Sequence, residues 1–118
     1  MILVDSSVWI NHFKKADPFL NEALKEDRVF VHPFIIQEIS LGHIKNRELI
    51  IELVSYLHTV PVANHAQIQK FILEKRLAGS GIGIVDIHLL YSALEHNLEI
   101  YTLDKSLAKI SKKFSCSI

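Results

Sequence analysis

The sequence predicts an α/β domain with a mainly parallel central sheet of four to five strands flanked by helices. Three observations carry this expectation. Short apolar runs alternate with longer segments of helical periodicity, the pattern of strands joined by crossover helices. Helix-start residues fall between them, at Asp17-Pro18, Pro33, Asn46 and Asn64. The 118 residues are 49% hydrophobic, which suits one domain, residues 1–118, with its own core.

The elements follow in order. Ile2–Val4 reads as a short buried strand, and Ser6 or Ser7 caps a helix through about Phe13. Asp17-Pro18 pairs a cap with proline at the first helical position and opens a helix to about Lys25. Val29–Val31 is a second strand, and Pro33 begins a helix to about His43. Asn46 caps a helix with Leu49, Ile50, Leu53, Val54 and Leu57 in helical register. Thr59–Val62 is a third strand, weakened by Pro61. Asn64 starts a long amphipathic helix with Ile68, Phe71, Ile72 and Leu77 on one side. Gly79–Gly83 is a loop, Val85–His96 a helix, Glu99–Leu103 a fourth strand and Asp104–Lys112 a last helix. The tail Phe114–Ile118 is expected to add an edge strand. No repeat or interdomain linker interrupts the chain.

Composition sets bounds. The lone Cys116 allows no internal disulfide, which suits a reducing compartment. Asp5 breaks the first apolar run, no basic stretch precedes it, and no apolar stretch reaches membrane-spanning length. The expectation is a cytoplasmic protein without a membrane partner.

Four acids interrupt apolar runs. Asp5 follows Ile2-Leu3-Val4, Glu38 sits inside Phe34–Ile39, Asp86 opens Val85–Leu90, and Asp104 follows Ile100–Leu103. Carboxylates in such places are costly to bury unless paired or bound to a metal. Asp5 and Asp104 end strands, so both reach the carboxyl edge of a parallel sheet, where ligands bind. Asp86 is in register with Leu89, Leu90 and Ala93, and Glu38 with Phe34 and Leu41, so both are expected to face inward.

Four carboxylates in one cleft repel, and each tends to take up a proton. Hard cations such as Mg²⁺ or Mn²⁺ relieve that repulsion and take oxygen ligands. The chemistry such a pocket suits is hydrolysis of a phosphodiester. Overall charge is zero, with 13 basic and 13 acidic residues. Setting the four acids aside leaves an excess of four positive charges, a mildly basic shell that suits a polyanion. Each Asp also has an ordinary role available, as a helix cap contributing about 1 kcal/mol; the functional case rests on the set.

Other features carry less. The seven histidines show no paired metal-ligand spacing. His88, two residues after Asp86, is expected on another side of its helix, at the surface or against a partner. Gly79–Gly83 lacks the lysine of a phosphate-binding P-loop. Trp9 is read as core or dimer surface. Lys105, Lys109, Lys112 and Lys113 make the last helix basic, a solvated face unless it meets phosphate, with Lys105 the best placed beside Asp104.

On these residues the chain resembles PIN-domain ribonucleases, and within them the toxins of VapBC-type toxin–antitoxin pairs. Met1–Ile10 is similar to that family's first strand and first acid, and Glu38 stands where it has its second. Gly81–Leu90 and Tyr101–Leu107 are similar to the stretches carrying the third and fourth. The resemblance implies a metal-dependent endoribonuclease with Asp5, Glu38, Asp86 and Asp104 as catalytic and Mg²⁺- or Mn²⁺-binding residues. It implies an RNA substrate, a homodimer and a cognate antitoxin that wraps the toxin and obstructs its site. Ser6 and Thr102 are the small hydroxyl residues expected to support the pocket. Two residues depart from the family: Ile84 stands where relatives often have Trp, and Ile87 where a small residue is common.

Two other classes compete. A non-catalytic PIN-like module would bind RNA or protein without cutting, yet a pure polyanion binder favours lysine and arginine where this chain has acids. A receiver-type phosphoacceptor or small phosphatase needs an acid partner close after Asp5, and Ser6-Ser7 supply none.

Overall fold

The computed structural model describes residues 1–118. Strand β1 (Ile2–Val4) leads into helix α1 (Ser6–Lys14) and helix α2 (Pro18–Lys25). Strand β2 (Val29–Val31) is followed by α3 (Pro33–Leu41) and α4 (Arg47–Ser55). After β3 (His58–Thr59) come α5 (His65–Glu74) and α6 (Ile84–His96), then β4 (Glu99–Tyr101) and α7 (Lys105–Lys113).

All strand pairs are parallel and the sheet order is β3-β2-β1-β4. Leu3 lies opposite Phe30 on one side and Ile100 on the other. β1 is therefore interior and covered on both faces, which is why it is apolar at every position. The chain builds outward from β1 through β2 to β3, then returns to lay β4 on the other side of β1. That reversal puts the topological switch point beside the carboxyl end of β1, where Asp5 stands, with Asp104 just beyond β4. The tail pairs with β4 through a single parallel bridge, Ile100 with Ser117.

One core holds the helices to the sheet. Leu3, Val4, Leu20, Ile35, Leu89 and Leu107 are fully buried within it. Each such side chain contributes about 2–3 kcal/mol relative to exposure. α2 begins as its sequence requires, with the Asp17 carboxylate accepting from the Leu20 N–H at 3.1 Å. α5 has a full capping box between Asn64 and Gln67.

Several boundaries differ from expectation. β3 is two residues long and ends before Val60; Pro61 has no N–H to extend the ladder. α5 stops at Glu74, and Leu77 reaches the core from beyond the helix, after Arg76 adopts φ 53°. α3 ends at Leu41, which is 86% exposed, so the stripe through Phe34, Glu38 and Leu41 does not point into the core. Asn46 precedes α4 in a left-handed conformation, and its side chain caps nothing.

Candidate active site

The four acids line one cavity of about 390 Å³ at the carboxyl edge of the sheet, with Ser6, Ser7, Ile10, Gly83, Ile84 and Val85 completing the wall. Each arrives from a different element, and each is held differently.

Asp5 is 6% exposed. It occupies the N-cap position of α1, yet its side chain makes no capping bond. Its Oδ2 accepts from the Ser7 hydroxyl at 2.7 Å and from the Thr102 hydroxyl at 2.8 Å. These hydroxyls in turn accept backbone N–H groups, Ser7 from Leu103 at 3.0 Å and Thr102 from Asp104 at 3.0 Å. Both hydroxyl protons are thus committed to one oxygen of Asp5, and that carboxylate is tied to the turn that carries Asp104. A buried carboxylate held this way keeps a fixed orientation.

Asp104 does cap its helix, its Oδ1 accepting from Ser106 N–H at 2.8 Å and Leu107 N–H at 3.2 Å. Oδ2 has no hydrogen-bond partner in the chain and is left for the cavity. Asp86 is not a cap: Gly83 holds that position, and Asp86 sits in the first turn of α6. Burial, followed by the charges of Asp5, Asp104 and Glu38, pushes its carboxyl up to about 6. Glu38, half-buried on α3, is also raised, by burial and by Asp5, against a lowering contribution from the Ser6 hydroxyl.

Ser6 lines the cavity as expected, and Ser7 joins it as a further hydroxyl residue of the pocket. Ser7 holds Asp5, whereas Ser6 stands by Glu38. Thr102 does support the pocket, bridging Asp5 and the Asp104 backbone. Neighbouring serines at a helix start are not separable by spacing alone, and only the partner Thr102 across the sheet selects Ser7. Lys105 is exposed at the first position of α7 and is not part of the cavity wall. His88 is buried rather than at the surface, its ring against those of His32 and Phe34 at 5.7 and 4.7 Å between centroids. Trp9 belongs to the core. Of the two departures from the resembled family, Ile84 is at the cavity rim and exposed, while Ile87 packs into the core.

No three of the acids stand close enough to enclose an ion as they are placed. The donor set nevertheless fits a hard divalent cation: it is all oxygen, and the upward push on Asp86 comes from burial and then from the neighbouring carboxylates, both of which such a charge offsets.

The PIN domain family model matches residues 2–113. Ribonuclease VapC32 of Mycobacterium tuberculosis, in two strains, is 43% identical over 108 residues, covering 91% of this chain and 87% of the relative. The crystal structure of PAE2754 from Pyrobaculum aerophilum superposes with a TM-score of 0.71 over 99% of this chain and 87% of that one, at 17% identity, a likeness of fold. With a parallel sheet whose switch point gathers Asp5, Glu38, Asp86 and Asp104, and with this match along nearly its whole length, the chain belongs to the PIN-domain family and is VapC-like within it.

Proposed function

We propose that this chain is a metal-dependent endoribonuclease, the toxin of a type II toxin–antitoxin pair, acting on RNA in the cytoplasm. The observation that carries the reading is the single acidic cavity at the sheet edge, in a chain 43% identical to a ribonuclease. Asp5, Glu38, Asp86 and Asp104 are the residues that would hold Mg²⁺ or Mn²⁺. A divalent cation bound there supplies Lewis acidity toward a phosphoryl oxygen and the attacking water.

The chain's own residues do the rest. Ser7 and Thr102 fix one oxygen of Asp5 and so aim the other. Asp104 is aimed by its two helix-capping bonds. Asp86, pushed up by burial and by the three other acids, is the carboxylate whose charged form a bound cation would favour most. Preorganised carboxylates of this kind act mainly by positioning and electrostatics.

Partners follow from the same reading. A cognate antitoxin and a second copy of the chain both need apolar surface, and Leu41 on α3, Leu49 and Leu53 on α4 and Tyr56 just after it supply it. The lone thiol, Cys116, suits a reducing cytoplasm. No helix is long and apolar enough to cross a membrane.

The test is cleavage of structured RNA by wild type and Asp86→Asn, each with Mg²⁺, Mn²⁺ or EDTA. Cleavage by wild type alone, abolished by EDTA, is the expected result. Undiminished cleavage by the variant, or by wild type in EDTA, refutes the proposal.

A further inference from the structure

A second groove is built from the continuations of two segments that line the acidic cavity. Ser80, from the loop after α5, faces Ser106, Lys109, Ile110 and Lys113 of α7 across a space of about 490 Å³. Followed along the chain, that loop becomes Gly83–Asp86, and α7 starts from Asp104; all of these line the acidic cavity. Ser80 lies three residues before Gly83 and Ser106 two after Asp104, so the groove is bordered by the same two segments as the carboxylates.

Its chemistry is cationic. α7 carries Lys105, Lys109, Lys112 and Lys113 and no acid. None of them is in an ion pair; the three pairs in the chain engage Arg28, His58 and Lys70. The helix dipole rewards cations only in the last turn, which accounts for Lys112 and Lys113. It disfavours Lys105 in the first turn and is indifferent to Lys109 in the middle. Lys105, Lys109 and Lys113 recur every four residues, so they share a face and rise about 6 Å per step. Like charges at that spacing weaken a helix unless an anion lies along them. The Ser106 backbone N–H is taken by Asp104, while its hydroxyl is left to the groove.

We propose that this groove is a track for the RNA strand flanking the cleaved bond, with Lys109 and Lys113 contacting successive phosphates, Ser80 and Ser106 donating hydroxyl hydrogen bonds, and Lys105 joining the track to the acidic cavity. The inference rests on the ribonuclease reading for the identity of its ligand. It adds a site outside the four acids that sets affinity for longer substrates. A pocket of four carboxylates repels RNA, and a row of unpaired lysines next to it restores the attraction.

The experiment measures binding of a short labelled single-stranded RNA to the full chain in EDTA, across a salt series. Lys109→Gln/Lys113→Gln is compared with wild type and with Lys14→Gln/Lys15→Gln, which removes the same charge from the exposed end of α1. At about 0.7 per phosphate on a single strand, the α7 pair is expected to lower the slope of log K against log salt by about 1.4, or roughly tenfold to thirtyfold in affinity at ~0.1 M salt. The α1 pair is expected to change neither. Equal losses in both pairs, or an unchanged slope for the α7 pair, overturn the proposal. Loss of polyglutamate binding with RNA binding intact overturns it too, in favour of an acidic protein partner. A kinetic arm with Mg²⁺ or Mn²⁺ predicts a raised KM at unchanged kcat on the long RNA and no effect on a trinucleotide too short to fill the groove. Because the binding arm needs no catalysis, a wild type that binds through these lysines yet never cleaves sinks the ribonuclease reading and leaves the track standing.

Discussion

Removing the charge of Asp86 is expected to stabilise the metal-free protein while destroying its activity. In the folded chain its carboxyl is pushed from the ordinary 3.8 up to about 6, by burial first and then by Asp5, Asp104 and Glu38. Between those values the folded state binds more protons than the unfolded state, so stability falls as pH rises through about 6 and stays low above it. The full difference corresponds to about 3 kcal/mol at most. Asp86 is only half-buried, and solvent screening reduces that to about 1.5 kcal/mol. Its place in the first turn of α6 also gives it a favourable helix-dipole interaction of about 0.5 kcal/mol, which Asn forfeits. The net expectation for Asp86→Asn in EDTA above pH 7 is a gain of about 1 kcal/mol, or about 4 °C in Tm. Below about pH 4 the gain should vanish.

Added Mn²⁺ should raise the wild-type Tm and leave the variant nearly unmoved, because only a ligand that binds the folded state stabilises it. Calorimetry on both proteins, with and without Mn²⁺ and across pH, reads all of this. A variant no more stable than wild type in EDTA at neutral pH, or one that gains as much from Mn²⁺, refutes the reasoning.

Three further outcomes follow from the same geometry. Thr102→Val deletes both the donor to Asp5 and the acceptor of the Asp104 N–H; it should cost about 1–2 kcal/mol by denaturant unfolding and lower kcat about tenfold or more, with Thr102→Ser restoring most of it. Ser7→Ala should lower kcat more than Ser6→Ala, since of the two serines only Ser7 bonds Asp5; the reverse order in a kinetic comparison would contradict the assignment. Burial, and then His88, lower His32 to about 4 from its ordinary 6.5, so here the unfolded state binds the proton first. That contribution is intact above about pH 6.5 and should be lost, up to about 3 kcal/mol, as pH falls through 4. Acid unfolding of His32→Asn, which keeps a capping acceptor for the Phe34 N–H, should be flatter than wild type over that window.

Where the sequence was legible, local chemistry and global fold agreed. Asp17-Pro18 and Asn64 name their helices because a side-chain acceptor and a missing or satisfied N–H act within one turn. Ile2–Val4 reads as a buried strand because it is apolar at every position. Asp5 and Asp104 could be placed at one edge because parallel strands bring their carboxyl ends together. What failed depended on long-range contact. α6 is buried around most of its circumference, so helical spacing from Asp86 put His88 on a side that is also covered. Glu38 does face the cavity, but the stripe with Leu41 is not the reason, because α3 ends there and leaves Leu41 in solvent. The choice of Ser7 over Ser6 depends on Thr102, 95 positions away. The groove along α7 was visible only as four lysines until the loop at Ser80 closed its other side.

The central claim is that one set of four carboxylates both holds the cation and enables cleavage. Its most direct test is Mn²⁺ titration, read by electron paramagnetic resonance, alongside RNA cleavage on the same samples of wild type, Asp5→Asn, Glu38→Gln, Asp86→Asn and Asp104→Asn. The account predicts that Mn²⁺ affinity and cleavage fall together in every variant. A variant that loses Mn²⁺ binding yet cleaves at the wild-type rate would contradict it.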